Sequence, residues 1–240
     1  MLVRDISLDT PEENILFDEV LFTLAEEGAC DEMLRFWESP EVFVVLGRIG
    51  KVEDDVKVQA VLKDGLKVLR RASGGGTVLQ GKGCLNFTLI LSRERNEVRD
   101  LKPSYRFILG RCLEALKELG VNADYYPISD IALIDGQMKI SGNAQKRGKN
   151  FIMHHGTFLL DFDLGLMEKY LTLPKDRPQY RQHRPHQGFV SNIHLSADRV
   201  KGSLGRAFKA GEQKNTLTPQ EKQLLKKLLR TKDVFVNYSK

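Results

Sequence analysis

The chain has 240 residues, of which 41% are hydrophobic and 29% are charged, and this composition predicts a globular protein with one substantial core. It has no apolar run long enough to cross a bilayer, and Met1–Asp5 lacks the apolar region of a signal peptide. The cysteines Cys30, Cys84 and Cys112 are odd in number and share no metal-ligand spacing, so we expect neither disulfides nor a zinc site. A reducing cytoplasm is the expected location.

The spacing of apolar residues predicts alternating strands and helices. A capping threonine, a first-turn proline and a glutamate predict a helix from Thr10 to Leu24, and Thr218–Glu221 repeats this pattern. Further helices are predicted over Leu101–Leu119 and Leu164–Tyr170. The predicted strands are Met33–Trp37, Val42–Gly47, Leu66–Arg70, Leu85–Leu91, Ile131–Ile134, Met138–Ser141, Phe151–Met153 and Thr157–Phe162. Because hairpins predominate, we expect an α+β fold with a mixed, largely antiparallel sheet flanked by helices.

The net charge of +5 favours an acidic partner. The basic residues are scattered and form no stripe with aromatic side chains, so we expect an acidic protein surface as the partner, with no nucleic acid and no membrane. Part of the positive charge lies in the polar, proline-containing segment 175–186. This composition predicts a loop, which is either simply solvated or used for docking.

The segment Arg70–Val78 contains two arginines followed by Ala-Ser-Gly-Gly-Gly-Thr-Val. Three consecutive glycines leave backbone N–H groups uncovered by any Cβ atom, and the arginines add fixed positive charge. The segment can therefore close on an anionic, phosphate-like group. The alternative is a glycine-rich hairpin turn with two surface arginines.

The same stretch has Gly76, Gly81 and Lys82 at the spacing of a Walker A phosphate loop. Gly83, however, stands where that loop needs a serine or threonine for magnesium. The alternation over Leu85–Leu91 also predicts a strand where a helix would have to begin. The sequence therefore excludes a Walker A site.

Lys139 lies in an apolar strand just after a predicted tight turn at Asp135-Gly136. Alternation places Lys139 and Ser141 on one face and Ile140 on the other, and Ser141–Asn143 offers backbone that a ligand can approach closely. If this face lines a pocket, the ammonium group points into it. Otherwise Lys139 is a surface lysine after a turn.

His154 and His155 are adjacent in a predicted strand, so their side chains point to opposite faces and cannot both bind one metal ion. Because no third ligand lies at useful spacing, we expect no metal held by the protein itself. Each histidine is either a core residue or part of a pocket.

Together these motifs resemble the lipoate-protein ligase family, within the superfamily of biotin and lipoate ligases and octanoyltransferases. The motifs that carry the resemblance are Trp37–Pro40, Val45–Arg48, Arg70–Val78, Asp130-Ile131, Lys139–Ala144, His154–Thr157, Asp163-Leu164 and a weaker Val190–Ile193. They cover residues 10–195. The resemblance implies a biotin/lipoate ligase-like catalytic domain over residues 1–195. The remaining residues, 196–240, are expected to form a short C-terminal helical extension, too short for a full accessory domain.

The resemblance implies a reaction in two steps. ATP, with Mg²⁺ held by its phosphates and water, activates the carboxylate of lipoate or octanoate as an acyl-adenylate. A lysine of a lipoyl carrier domain, an acidic acceptor protein, then attacks the adenylate. Lys139 is the implied catalytic residue, Asp130 would lie by the adenylate and His155 near the acyl end. The implied substrate- and adenylate-binding residues are Arg70, Arg71, Ser73, Gly74, Gly75, Gly76, Val78, Asn86, Asp130, Ser141, Gly142, Ala144, His155 and Gly156.

Relatives that transfer an octanoyl or lipoyl group between carriers pass through a thioester on cysteine. In one branch the cysteine corresponds to Asp124, and in another it falls within Phe189–Asn192, where this chain has no cysteine. Cys84 lies beside the glycine-rich segment but at neither position. The resemblance therefore favours an ATP-dependent ligase. The alternatives are a transferase, either dependent on Cys84 or independent of cysteine, and an inactive acyl-binding or scaffold homologue.

Two features depart from the family's pattern. The His-Asp pair that often follows the glycines is replaced by Gln80-Gly81, so the acyl preference can differ. The short segment after residue 195 leaves three possibilities: the enzyme works alone, it needs a separate accessory subunit, or it catalyses one half-reaction.

Overall fold

The computed structural model describes residues 1–175 and 177–236. The strands are β1 (Leu2–Asp5), β2 (Met33–Trp37), β3 (Phe43–Leu46), β4 (Lys67–Arg70), β5 (Val78–Gln80), β6 (Cys84–Ser92), β7 (Ala123–Tyr126), β8 (Asp130–Leu133), β9 (Lys139–Arg147) and β10 (Phe151–Leu159). The helices are α1 (Pro11–Glu26), α2 (Val52–Asp55), α3 (Val58–Asp64), α4 (Leu101–Glu118), α5 (Gly165–Tyr170), α6 (Ala197–Ala207) and α7 (Pro219–Thr231). Short 3-10 turns lie at Asn96–Val98, Asp135–Gln137 and Gln179–Arg181.

Two sheets form the frame of the molecule. A seven-stranded sheet has the order β1-β2-β6-β10-β9-β8-β7, and a three-stranded sheet has the order β4-β3-β5. The pairs β1 with β2 and β3 with β4 are parallel. The other pairs of neighbouring strands are antiparallel. The predicted α+β fold with a largely antiparallel sheet is confirmed.

Helices cover both faces of the large sheet. On one face α4 and α6 pack over a cluster of apolar side chains from the central strands. On the other face α1 packs against β6 and β10, and α7 lies against α1. The small sheet separates this second cluster from a third one, which α2, α3 and α5 cover. No helix among the described residues has both the length and the apolar character needed to cross a membrane.

Both predicted capping boxes are present. The Thr10 side chain accepts the backbone N–H of Glu13, and the Glu13 carboxylate accepts the N–H of Thr10. Thr218 and Glu221 repeat this exchange at the start of α7. Since the first N–H groups of a helix have no partners within it, these pairs fix where α1 and α7 begin.

Several elements differ from the prediction. The sequence does not predict β1, β5, β7, α2, α3 or α6. The two strands predicted over Phe151–Met153 and Thr157–Phe162 are one continuous strand, β10. The apolar pattern breaks at His154 and Gly156, although His154 is fully buried. A buried polar residue on a core face therefore hides the continuity of the strand.

The residues after 195 pack into the same clusters as those before. Val200 and Leu204 of α6 lie in the cluster covered by α4, and Leu225 of α7 lies in the cluster around α1. Val234 joins the latter, and its carbonyl accepts the backbone N–H of Arg70 at the end of β4. The division of the chain at residue 195 stays a prediction.

A buried ion pair attaches α7 to β1. The side chains of Arg4 and Glu221 are 2% and 5% exposed, and the guanidinium and carboxylate groups make two hydrogen bonds of 2.5 and 3.0 Å. Removing one partner of such a pair leaves the other charge buried without compensation.

We predict that Glu221→Gln lowers the free energy of unfolding by about 3 kcal/mol, because Arg4 then has no buried counter-charge. Urea denaturation measures this loss. The control is Glu114→Gln, which removes the exposed partner of Arg111 at the i,i+3 position. It should cost less than about 0.5 kcal/mol. Equal losses in the two variants would contradict the role given to the buried pair.

Candidate functional site

Arg71 shapes the glycine loop, defined here as residues 71–76, from the inside. Its Nη2 atom donates to the carbonyl groups of Gly74 and Gly76 at 2.8 and 2.7 Å, and its Nε atom donates to Ser73 Oγ at 3.0 Å. The residue is only 8% exposed, and burial lowers the pKa of its guanidinium to about 10. The group is therefore still charged at neutral pH, with its donors directed at the loop's own backbone.

Arg70 holds the neighbouring turn, residues 47–50. Its Nη1 atom donates to the carbonyl groups of Gly47, Arg48 and Gly50. The backbone N–H of Arg48 donates in turn to the carbonyl of Ser73 at 2.8 Å. Both predicted arginines thus bond to backbone carbonyl groups, and their part in binding an anion stays a prediction.

The three glycines of the loop differ in their surroundings. A Cβ atom added at Gly75, where φ is +84°, would lie 2.9 Å from the guanidinium of Arg71. A Cβ added at Gly74 or Gly76 would meet no atom within 4 Å. The backbone of Gly74 and Gly76 is therefore open to the approach of a ligand.

Gly47 is a residue that the predicted site does not include. A Cβ atom at Gly47 would lie 2.1 Å from the carbonyl oxygen of Gly75. The glycine loop can approach the end of β3 only because Gly47 has no side chain. The sequence does offer one sign of this role, because Gly47 directly follows a strand that contains β-branched residues.

Lys139 begins β9 and forms an ion pair with Asp130 at the start of β8. The Lys139 Nζ and Asp130 Oδ1 atoms are 2.8 Å apart, and the side chains are 27% and 9% exposed. The hydroxyl of Tyr180 donates to the other carboxylate oxygen of Asp130 at 2.7 Å. Burial, followed by the negative charge of Asp130, raises the pKa of Tyr180, so the phenol keeps its proton and remains a donor.

A β-bulge decides which side chains accompany Lys139. Two consecutive residues of β8 pair with Lys139 and Ser141, so Ile140 is an extra residue in β9. The predicted alternation that places Ser141 beside Lys139 is therefore wrong. Ser141 is 1% exposed, and its Oγ atom accepts a hydrogen bond from Asn143 on the face covered by α4. The structure does not bring Ser141 to the same face as Lys139.

The strand β9 joins the glycine loop to Lys139. The Cβ position of Gly75 lies 3.5 Å from the Cβ atom of Ala144, and the Cβ position of Gly142 lies 2.9 Å from Lys139 Nζ. Gly142 and Ala144 lie on one face of the strand, about 7 Å apart for two residues of extended chain. The loop and the lysine therefore both lie along this face of β9.

His155 connects the glycine loop with α1. Its Nε2 atom is 2.6 Å from Ser73 Oγ, and its Nδ1 atom is 3.7 Å from Asp18 Oδ2. Asp18 forms a buried ion pair with Arg35 at 2.6 Å. Burial works against the charged form of Asp18, but Arg35 and His155 lower its pKa on balance. The sequence does not predict Asp18 or Arg35, because a charged residue in an amphipathic pattern normally faces solvent.

His154 lies on the opposite face from His155, as predicted. It is fully buried, and burial lowers its pKa to about 3, so the ring is neutral. Its nitrogens lie 3.0 and 3.3 Å from the side-chain amides of Gln145 and Asn143. A Cβ atom at Gly156 would lie 2.0 Å from Asn143 Oδ1, so Gly156 makes room for packing on this face. The structure does not place Gly156 with the loop and Lys139.

Asn86 belongs to a ring of three hydrogen bonds. Gln80 Nε2 donates to Thr157 Oγ1 at 2.8 Å, Thr157 donates to Asn86 Oδ1 at 2.6 Å, and Asn86 Nδ2 donates to Gln80 Oε1 at 3.1 Å. Gln80, which departs from the family's pattern, is therefore part of this polar cluster. The predicted residue Val78 is half-buried and packs beside the cluster around α1.

The described part of the predicted loop 175–186 belongs to the wall of the site, and Asp176 lies outside the described residues. Besides the Tyr180 bond to Asp130, the guanidinium of Arg181 stacks 4.5 Å from the ring of Phe189. The carbonyl of Phe189 accepts the backbone N–H of Lys139 at 2.8 Å. Tyr180 therefore belongs to the site, although its polar surroundings in the sequence give no sign of this.

All three cysteines are free thiols. Burial raises the pKa of Cys84 to about 12 and that of Cys30 to about 11, and it also raises the pKa of Cys112. Cys30 lines an open groove of about 1380 Å³ near Phe151, at the other end of β10, which contains none of the predicted site residues. Each thiol is therefore protonated at neutral pH.

This fold occurs in solved structures of lipoate-protein ligases. A bipartite lipoate protein ligase from Thermoplasma acidophilum has a TM-score of 0.80 at 24% sequence identity, covering 97% of this chain and 93% of that one. A lipoate-protein ligase A bound with ATP has a TM-score of 0.82 at 22% identity, covering 96% and 94%. At these identities the likeness concerns the fold alone, which is that of the lipoate ligase class.

Residues 10–209 match the lipoyl protein ligase A/B catalytic domain, and the chain belongs to this family. The octanoyltransferase LipM of Brevibacillus brevis is 25% identical over 93% of this chain and 92% of its own length. The lipoate-protein ligase LplJ of Bacillus subtilis is 28% identical over 80% of this chain. The chain spans 56% of LplJ and 42% of a Schizosaccharomyces pombe relative that is 33% identical.

We predict that Gly47→Ala displaces the glycine loop, because the added Cβ would collide with the carbonyl of Gly75. The expected loss of unfolding free energy is about 1–3 kcal/mol, together with faster hydrogen exchange at the amides of Ser73–Thr77. The matched control is Gly110→Ala, since a Cβ there meets no atom within 4 Å and Gly110 lies inside α4. This variant should be as stable as the parent or up to about 1 kcal/mol more stable. Unchanged exchange in Gly47→Ala would show that the close approach does not hold the loop.

Proposed function

We propose that the protein is an ATP-dependent ligase that activates lipoate or octanoate as an acyl-adenylate and transfers the acyl group to a lysine of a lipoyl carrier domain. The observation that carries this proposal is the Lys139 ammonium, held 2.8 Å from Asp130 on the face that adjoins the open backbone of Gly74 and Gly76. A fixed cation near glycine backbone that no side chain covers suits a reaction in which negative charge develops on phosphoryl oxygens.

Lys139 supplies this positive charge. When a carboxylate oxygen attacks the α-phosphorus of ATP and pyrophosphate leaves, negative charge accumulates on the phosphoryl oxygens. Two unit charges about 4 Å apart interact by roughly 4 kcal/mol at an effective dielectric constant near 20. Asp130 holds the ammonium in position, and Tyr180 holds Asp130, so little reorganisation is needed as the charge develops.

The glycine loop has two properties that suit the binding of a phosphate group. Gly74 and Gly76 have no side chain to block approach, and Arg71 keeps the loop in one conformation. ATP is the bound molecule in one ligase of the same fold. Mg²⁺ would be held mainly by the ATP phosphates and water. Within residues 1–175 and 177–236, no group of three His, Cys, Asp or Glu side chains is placed to hold a metal ion.

The acyl chain would lie along the apolar side chains of the same face, with His155 near its end and Val78 along its wall. Burial stabilises a bound chain by about 0.8 kcal/mol per methylene group. Ser73, held by both Arg71 and His155, fixes the loop above this region. Octanoate and lipoate both offer the chain length that this role requires.

A transferase is the second candidate, because the chain spans 92% of the octanoyltransferase LipM but only 56% of the ligase LplJ. A transferase that forms a thioester needs a reactive thiolate. Cys84 is fully buried, and burial raises its pKa to about 12. Because Cys84 is buried and protonated at neutral pH, it is poorly suited to form a thioester, and this favours a ligase over a thioester-forming transferase.

Two partners accompany the proposed reaction. The Thermoplasma acidophilum ligase of the same fold is described as bipartite and as belonging to a lipoylation system with an E2 lipoyl domain. This chain spans 91% of a Thermoplasma acidophilum relative named lipoate-protein ligase A subunit 1. We propose a lipoyl carrier domain as the acceptor and a separate accessory subunit as a second partner.

We predict that Lys139→Ala lowers acid-dependent pyrophosphate release at least about 100-fold, because it removes the charge that stabilises the transition state. The thermal unfolding midpoint checks that the variant stays folded. The matched control is Lys82→Ala, which removes an exposed lysine from the turn between β5 and β6. Its rate should stay within about twofold of the parent. Near-normal pyrophosphate release by Lys139→Ala would remove the proposed role.

Intact-mass analysis of the acceptor distinguishes ligase from transferase. An apo E2 lipoyl domain is incubated with the protein, Mg-ATP and either lipoate or octanoate, and in parallel with octanoyl acyl carrier protein without ATP. We expect acylation in the first reaction only, and Cys84→Ser should keep most of this activity. Acylation from the carrier alone, with a lasting thioester on Cys84, would establish the transferase. No acylation in either reaction, with no pyrophosphate release, would indicate an acyl-binding homologue.

A further inference from the structure

Two rigid turns beside the site each present an exposed isoleucine. Ile49 is 81% exposed and Ile128 is 80% exposed, whereas the next most exposed large apolar side chain, Leu101, is 52% exposed. A fully exposed isoleucine gains nothing from the fold of its own chain. Both side chains are therefore available to contact another molecule at the site.

The turn that carries Ile49 is held in place by the site itself. Arg70 bonds to the carbonyl groups on both sides of Ile49, and the N–H of Gly50 donates to the carbonyl of Gly47 at 3.0 Å. Gly47 in turn contacts the carbonyl of Gly75 in the glycine loop. Ile49 therefore projects from a fixed position next to this loop.

The turn that carries Ile128 is held in the same way at the other side. The hydroxyl of Tyr125 donates to the carbonyl of Ile128 at 2.7 Å, and the side-chain amide of Asn143 donates to the carbonyl of Ser129 at 2.9 Å. Two residues after Ile128, Asp130 forms the ion pair with Lys139. Ile128 therefore projects from a fixed position next to this ion pair.

The residues next to the two turns both contact β9. The glycine loop adjoins Ala144, and Asp130 pairs in register with Gly142. These two contact points are about 7 Å apart along one face of the strand. Each isoleucine is therefore two residues from a residue of this face: Ile49 from Gly47, which contacts the loop, and Ile128 from Asp130, which pairs with Lys139.

We propose that Ile49 and Ile128 are the apolar contacts by which the lipoyl carrier domain docks when it presents its lysine. This inference rests on the proposed function, since that reaction requires a protein-borne lysine to reach the site. Exposed basic residues lie close to one of the turns, since Arg48 and Lys51 flank Ile49. This positive charge complements an acidic acceptor and orients its approach.

The test uses Ile49→Ser, Ile128→Ser and the double variant in the full chain, with the apo E2 lipoyl domain as acceptor. We expect each single variant to raise the KM for the lipoyl domain about tenfold and the double variant about 100-fold, since the two contacts are separate. Pyrophosphate release with acid and Mg-ATP but no acceptor should stay within about twofold, because neither isoleucine is part of the adenylation machinery. The matched control, Leu101→Ser, removes an exposed leucine at the start of α4, the helix that covers the opposite face of the large sheet.

An unchanged KM in the double variant, or an equal rise in Leu101→Ser, would overturn the docking role. A parent protein that releases no pyrophosphate with either acid would instead overturn the proposed function. In that case the docking role is decided by fluorescence anisotropy of the labelled lipoyl domain. Binding that is weakened by the isoleucine variants supports docking, and binding that is absent or unaffected rejects it.

Discussion

The bulge at Ile140 determines where the lysine of the site points. Side chains alternate along a strand, so one extra residue reverses the faces of the residues on either side of it. Ser141 faces the apolar cluster under α4, and without the bulge Lys139 would point toward the same cluster. A lone ammonium there would cost several kcal/mol. With the bulge, Lys139 lies over Gly142 and reaches Asp130.

The charged side chains beneath the glycine loop compensate one another's burial. Asp18 is paired with Arg35, and His155 lies between Asp18 and Ser73, while Arg71 bonds to the loop from inside. Each group is buried or nearly so, and each has a partner that reduces the cost of its burial. Because α1 contributes Asp18, this helix supports the site as well as the core. The network keeps the loop organised before a ligand arrives, as electrostatic stabilisation of a transition state requires.

Most of the frame could be predicted because its signals are local. The capping boxes at Thr10 and Thr218, and the strands predicted over Leu66–Arg70 and Leu85–Leu91, are determined by neighbouring residues. The order of the motifs also predicts the loop, Asp130 and Lys139 as parts of one site, and the structure places them along one face of β9. Strand β1 could not be predicted, because Arg4 interrupts its apolar pattern and the compensating carboxylate, Glu221, lies 217 residues away. The bulge at Ile140 and the contact of Tyr180 with Asp130 were missed for the same reason, since both depend on partners distant in sequence.

The chemistry available at the site follows from which groups are charged at neutral pH. A thiol whose pKa is near 12 is a thiolate in roughly one molecule in 100,000, so Cys84 is a poor acceptor for an acyl group. The lysine is held as one half of an ion pair on the face of β9 that the glycine loop also contacts. Such a site is better suited to stabilising oxygen anions than to forming a thioester on Cys84. These groups suit the proposed ligase, in which the acid is activated through a phosphoanhydride and the attacking amine belongs to the acceptor protein.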